Sequence, residues 1–216
     1  MVLTVYKLDA SPPARAAMMT VAALHIPDVK FEDVDLFAKE HLTEEFKKMN
    51  PQHTVPTIKD GDFVLWDSHA IAAYLVATYG KDDSLYPKDP KKRAIVDQRL
   101  HFDSGIAFTA LRGTMFPVLF LGEPKFRPEN LARITMAYDT AEKLLAHPYM
   151  AGETVTIADI CCLSSFSSLN CIIPLDGQKY PKLSAWLERC SKLDFYVKAN
   201  APGLAIFKSI VKPEFF

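Results

Sequence analysis

The chain has 216 residues, with 25 Lys and Arg against 26 Asp and Glu and a net charge of −1. This length allows one or two domains and a core that needs no disulfide or metal staple. The balanced charge removes the electrostatic reason to expect nucleic acid or an anionic membrane as a partner, which leaves a small ligand as the expected one. Cys161, Cys162, Cys171 and Cys190 form no C-x-x-C pair, so they read as buried reduced thiols on apolar helix faces, not as a zinc site or a redox couple. The N-terminus has no basic segment leading into a long apolar stretch, and no run reaches membrane-spanning length. A cytoplasmic protein is expected.

Residues 2 to 8 are rich in β-formers and apolar on both faces, as for a strand inside an α/β sheet. Ser11-Pro12-Pro13-Ala14-Arg15 then opens a helix: serine is a preferred N-cap, and proline is tolerated in a first turn whose N–H groups are unpaired anyway. The helix is expected from about Pro13 to His25, with Ala17, Met18, Val21 and Leu24 inward. By itself, Ser11 reads as a cap. A weak strand follows at about residues 29 to 34, then a segment with Phe37, His41 and Leu42. A short helix before Asn50-Pro51 has Phe46 and Met49 on one side.

Residues 50 to 71 carry the densest set of signals. Pro56 pushes Val55 into extended geometry, which leaves its peptide groups open for pairing. Asp60-Gly61 is a strong hairpin signal between strands at about 56 to 59 and 63 to 66. Asp67-Ser68 caps a helix with Ile71, Tyr74, Leu75 and Thr78 at helical spacing, which stops at Gly80. An open extended segment, an acid and free helix N-terminal donors thus meet in one region. A γ-glutamyl peptide has the matching extended backbone, carboxylate and amine.

Gly80 to Pro90 has turn residues and no periodicity, so the chain divides into residues 1–80, a linker 81–90 and a helical part 91–216. A helix from about Lys91 to Phe120 is expected to bend or break at Gly105, Gly113 or Pro117. On it Phe108, Arg112, Met115, Phe116 and Leu119 form one stripe, which by default is core. Arg112 is the exception, because a buried unpaired guanidinium is costly. Residues 128 to 146 repeat the pattern with Leu131, Ile134, Tyr138, Ala141 and Leu145. Thr156 and Asp159 fit a capping box, with Val155 and Ile160 as its staple. Leu183, Trp186, Leu187 and Cys190 mark a further helix, and the helical segment from Asp194 is expected to be interrupted at Pro202-Gly203. The final Pro-Glu-Phe-Phe suits either a cover over a cleft or a frayed end.

Ser11-Pro-Pro-x-Arg, Asn50-Pro-Gln-His-Thr-Val-Pro, Asp67-Ser-His-Ala-Ile and the Thr156 cap together resemble the glutathione S-transferases, over essentially the whole chain, and within them the insect epsilon class. The resemblance implies an α/β thioredoxin-like N-terminal domain and an all-α C-terminal domain, a homodimer, glutathione as co-substrate and no metal. It implies that Ser11 donates a hydrogen bond to the glutathione sulfur and that Val55-Pro56 pairs with the cysteinyl backbone. Asp67 and Ser68 would hold the γ-glutamyl end and His53 the glycyl carboxylate, with His41, Thr54, His69 and Arg112 completing the glutathione set. Pro13, Leu36, Phe108, Leu111, Arg112, Met115, Phe116, Leu119, Leu204 and Phe207 would line the pocket for a hydrophobic electrophile. Asp103 is a further candidate for the glutathione charge network, reaching it from its own chain or from a partner subunit.

Two positions depart from the family pattern. Asp67 stands where glutamate is commoner, which shortens the carboxylate arm by one methylene, and His69 stands where the delta class often has arginine.

A free thiol of pKa near 8.5 is only about 3% thiolate at pH 7, and lowering it by two units takes about 2.7 kcal/mol. One hydrogen bond to a charged sulfur supplies roughly 1.5 to 3 kcal/mol, and a helix N-terminus roughly 0.3 to 1 more. Ser11 at a helix start is therefore sufficient for thiolate formation. Peroxidase and dehydrochlorinase side reactions would use the same thiolate. A non-catalytic carrier of hydrophobic ligands is the alternative reading, but a carrier has no need of Ser11. A thiol oxidoreductase would be expected to carry cysteine at that position.

Overall fold

The computed structural model describes residues 2–216. Strands β1 (Leu3–Lys7), β2 (Lys30–Asp33), β3 (Thr57–Asp60) and β4 (Phe63–Trp66) form one sheet in the order β2-β1-β3-β4. β1 and β2 are parallel, whereas β3 runs antiparallel to β1 and β4, with Ile58 opposite both Val5 and Leu65. The hairpin turns at Gly61, whose φ of 61° suits a residue without Cβ. β2 is an edge strand with Lys30 and Phe31 exposed, which explains its weak apolar signal.

Helices α1 (Pro12–Leu24) and α3 (Ser68–Tyr79) cover one face of the sheet, where Leu3, Val5 and Ile58 meet Ala17, Val21, Ile71 and Leu75. On the other face α2 (Glu44–Met49) lays Phe46 against Val34 and Val55. This is the thioredoxin-like arrangement. α1 is buried on more than the predicted stripe: Met19 is fully enclosed while Met18 and Leu24 are only half-buried. The cause is a second neighbour, since α1 packs on the sheet and also on the helical half of the chain.

That half consists of α4 (Pro90–Phe102), a π-helical turn at Asp103–Ala107, α5 (Phe108–Phe120), α6 (Pro128–Leu144), α7 (Ile157–Ile172), α8 (Pro181–Ser191), α9 (Asp194–Ala199) and α10 (Ala201–Ile210). The helix after the linker is interrupted only around Gly105, by the π-helical turn, and runs on through Gly113. Pro117 lies inside α5 without breaking it. Proline cannot donate to the carbonyl four residues back, and here Asn130 Nδ2 donates to that carbonyl, Gly113 O, at 2.6 Å.

Phe166 of the buried helix α7 packs between Phe102, Tyr138 and Trp186. The Thr156–Asp159 capping box forms as expected. The Asp159 carboxylate also accepts from the Met150 N–H at 2.8 Å and Trp186 Nε1 at 2.9 Å, so the cap doubles as a core polar anchor. All four cysteines are free, and burial pushes their thiol pKa values up, which leaves them inert.

The break before α10 falls at Asn200. Pro202 and Gly203 sit in the helix's first turn, where proline's missing donor costs nothing. The final segment neither covers the cleft nor frays: the Phe126 N–H donates to Phe215 O at 2.6 Å, and the two rings lie 5.5 Å apart. Arg15 of α1 is fully buried and donates to Ser168 and Asn200, tying the sheet unit to the helical unit. No helix among the described residues is long and apolar enough to cross a membrane.

Candidate active site

A cleft of about 1430 Å³ runs between the sheet unit and the helices. It exceeds the roughly 300 to 1,000 Å³ of a pocket for one drug-sized ligand, so it has room for two reactants side by side. A smaller depression of about 500 Å³ on the outer face of the sheet is lined by Glu32, Glu45 and Phe46. Among the described residues, no buried side-chain polar atom there lacks a partner.

Ser11 enters the cleft from the turn between β1 and α1. It occupies the N-cap position, yet its hydroxyl makes no capping bond; Pro12 and Pro13 in the first turn remove the N–H groups nearest to it. The hydroxyl is left free to donate. Lys7 steadies this turn through 2.7 Å bonds to Asp9 and Asp33. Burial alone would depress the lysine's pKa, but the two carboxylates overcome it and raise it.

The segment from His53 to Pro56 forms the opposite lip. It is held by Asn50, which is fully buried: its Nδ2 donates to Thr54 O, Thr54 Oγ1 and Thr57 Oγ1, while its Oδ1 accepts from the Gln52 N–H. Val55 precedes Pro56 through a cis peptide. Among the described residues, neither its N–H nor its C=O finds a backbone partner. The open peptide groups read from the sequence are therefore present. His41 and His53 lie nearby with ring centroids 6.0 Å apart. Burial, with a smaller contribution from His53, pushes the His41 pKa down, and His41 Nδ1 is buried without a partner.

Asp67, the N-cap of α3, accepts from the His69 and Ala70 N–H groups at 3.0 and 3.1 Å. Its φ of 75° is a conformation an L-residue adopts only when its surroundings enforce it. Ser68 follows, nearly buried, with its N–H and hydroxyl unpaired at the positive end of the helix. His69 Nε2 lies 2.8 Å from Asp103 Oδ2, and Asp103 Oδ1 is buried without a partner. Asp103 thus lines this cleft from its own chain.

The far half of the cleft is apolar. Pro13 and Leu36 line one side, and Phe108, Leu111, Arg112, Met115, Phe116 and Leu119 line the other. Phe207 closes the end. Leu204 is not among the lining residues. It lies on the other side of Phe207 around α10, packed against the core, and Ile206 and Ile210 take its place.

Sequence reasoning also missed Asn50 as the anchor of the Val55 segment, Phe37 and Phe120. Phe37 stacks on Phe120 with centroids 5.2 Å apart and 16° between planes, and Phe120 lies 5.3 Å from Phe116. A polar residue before proline and an aromatic residue in a loop were the only signals available. Among the described residues no three His, Cys, Asp or Glu side chains converge to hold a metal ion.

A mixed four-stranded sheet joined to a helical unit, with a free hydroxyl, an open peptide edge and a helix N-terminus along one cleft, defines a two-domain protein whose polar binding groups stand beside an apolar pocket. The models of the glutathione S-transferase N-terminal and C-terminal domains match residues 5–83 and 109–194. Glutathione S-transferase 1 of Manduca sexta is 65% identical over 212 residues, 98% of each chain. An epsilon-class glutathione S-transferase from the housefly, Musca domestica, superposes with a TM-score of 0.94 at 46% identity over 98% of each chain. A glutathione transferase homologue from Drosophila mojavensis, solved with bound glutathione, gives a TM-score of 0.95 at 48% identity over 99% of this chain and 98% of that one. The chain belongs to the glutathione S-transferase family.

Proposed function

We propose that the chain binds glutathione, activates its thiol as thiolate and joins the sulfur to hydrophobic electrophiles. One observation carries this reading: Ser11 brings a hydroxyl with no capping bond into the cleft that also receives the unpaired peptide groups of Val55. An extended cysteinyl residue paired with Val55 would place its sulfur beside that hydroxyl.

The residues divide the work by their chemistry. The free N–H and hydroxyl of Ser68 suit the γ-glutamyl carboxylate. Asp67 Oδ2, left free by the capping bonds to Oδ1, suits the amine, with the Asp103 charge behind it. His53, with His41 and Thr54 beside it, suits the glycyl carboxylate. His69 acts on this end by holding Asp103. The Ser11 hydroxyl donates to the sulfur and keeps its own proton, so it stabilises the thiolate without acting as a base. With both reactants held in one cleft, the reaction becomes effectively unimolecular.

The reading assigns glutathione binding to residues 1–80 and the electrophile pocket to residues 91–216, joined by 81–90; the two family matches, at 5–83 and 109–194, support that division. It extends to a homodimer in the cytoplasm, the usual state of the family. Exposed Phe63 on β4 and Ile95 on α4 offer apolar surface for a second copy, and sedimentation tests it.

The deciding experiment is conjugation of an activated chloronitrobenzene across pH by wild type and Ser11→Ala, with glutathione binding measured in parallel. Losing a hydrogen bond worth roughly 1.5 to 3 kcal/mol should slow the variant about 10- to 100-fold at pH 7 and raise the apparent pKa of the bound thiol while binding persists. Glutathione binding with no conjugation by the wild type would overturn the transferase reading in favour of the carrier.

A further inference from the structure

The charged groups along the cleft are unevenly matched. Asp9 and Asp33 are bonded to Lys7, and Asp103 to His69. In the apolar half, Arg112 and Arg133 both line the wall, and neither is ion-paired with a carboxylate among the described residues. Exposed arginines commonly find a carboxylate one turn away, as Arg127 does with Glu123. Arg112 has none on α5 and lies over the Phe116 ring instead, with its guanidinium carbon 4.7 Å from the centroid. Arg133 passes over Glu129, one turn back, and makes only a long 3.4 Å contact to Asn130 Oδ1.

Asn130 links their helices: its Oδ1 accepts from Arg133, and its Nδ2 donates to Gly113 O, one residue from Arg112. Two exposed cations that lack an acid thus line the same apolar half of the cleft, Arg112 over the Phe116 ring and Arg133 beside Asn130.

We propose that these arginines form an anion subsite of the electrophile pocket, and that the preferred electrophiles are amphipathic: an apolar or aromatic body with a carboxylate at the end remote from the reacting carbon. The inference rests on the transferase reading, and it follows from how the reactants' charges are distributed. Glutathione brings two carboxylates, for which the Ser68 and His53 ends of the cleft already provide. Arg112 and Arg133 are left for the second reactant. Its apolar body would lie along Phe116, Phe120 and Phe37, with its acid between the guanidinium groups. The planar fork of arginine suits a carboxylate better than an ammonium does.

The probes are an aryl vinyl ketone with a para carboxylate and the same compound with a carboxamide. In the conjugation the sulfur bonds to the β-carbon, the π electrons move to the carbonyl oxygen as an enolate, and the enolate takes a proton from water; nothing leaves. Rates are divided by the uncatalysed rate of each compound. Binding of the saturated, unreactive acid and amide to the glutathione-loaded protein is measured by calorimetry alongside.

We expect kcat/KM and binding to favour the acid about tenfold or more, and that preference to shrink as salt is raised. It should fall to near one in R112Q/R133Q and largely survive in R112K/R133K. Loss of folded protein lowers both rates by the same factor, so a fall in their ratio reports the missing arginines and not misfolding. Equal handling of acid and amide by the wild type, or an undiminished preference in R112Q/R133Q, would overturn the inference. A calorimetric preference for the acid without conjugation of either ketone or of the chloronitrobenzene would sustain the subsite and bring down the transferase reading alone.

Discussion

His69 Nε2 lies 2.8 Å from Asp103 Oδ2, so one hydrogen bond joins the first turn of α3 to the π-helical turn between α4 and α5. Burial by itself would push the His69 pKa down. The bond to Asp103 and the charges of Asp103 and Asp67 outweigh it, and the pKa is raised above the ordinary value of 6.5. A raised folded-state pKa adds stability that is fully present below the unfolded pKa and is lost as pH climbs through the folded one. Urea unfolding should therefore show the protein weakening as pH rises from about 6.5 through that raised value, by about 1.4 kcal/mol for each pH unit that separates the unfolded and folded pKa. His69→Gln should flatten this part of the profile, and an unchanged slope in the variant would assign the dependence to another group.

Much of this site was legible because its signals are local. The Asp60-Gly61 hairpin, the Asp67 cap, the Thr156–Asp159 box and the open segment before Pro56 each follow from a few adjacent residues. What could not be read depends on rotation about a helix axis or on a distant partner. Periodicity put α10 at the cleft but could not choose between Leu204 and the pair Ile206 and Ile210, because that choice depends on how α10 rests on α7 and α9. Met19 took the inward place given to Met18 because α1 has two neighbours. The stack of Phe37 on Phe120 joins residues with no shared local pattern.

Pro117 is the sharpest of these cases. A proline inside a helix orphans a carbonyl, and no local pattern signals that Asn130 supplies the missing donor to Gly113 O. Asn130→Ala should cost about 1 to 2 kcal/mol, the penalty for a partly buried acceptor left without a partner. In a Pro117→Ala background the helix regains its own N–H for that carbonyl, so much of the penalty should vanish. Chemical unfolding of the two single variants and the double variant measures the coupling, and additive losses would show that Asn130 acts elsewhere.

Gly203 sets two helix rules against each other. Replacing glycine by alanine inside a helix ordinarily stabilises by about 1 kcal/mol. Here the added Cβ would come within 2.1 Å of Asp9 O and 2.8 Å of Arg15 Cδ, so a backbone must move. Sterics should win, and Gly203→Ala should destabilise by about 1 to 3 kcal/mol. Because Asp9 leads directly to Ser11, the displacement should also slow conjugation. A variant that melts at or above the wild-type temperature would show that α10 can slide without cost.

Phe37 and Phe120, both lining the cleft and both partly exposed, join the loop after β2 to the end of α5. An aromatic pair of this kind contributes about 0.5 to 1.5 kcal/mol beyond the area it buries, so a double-mutant cycle of Phe37→Ala and Phe120→Ala on stability should return a coupling in that range. The two rings and Phe116 also form a continuous aromatic wall for an incoming electrophile. Removing Phe37 should therefore raise the KM of aromatic electrophiles about 2- to 10-fold, the binding equivalent of that energy, with the KM of glutathione changing less. The contrast between an aromatic and an aliphatic electrophile isolates the ring's part: if both lose equally, Phe37 only holds the loop in place, and the wall ends at Phe120.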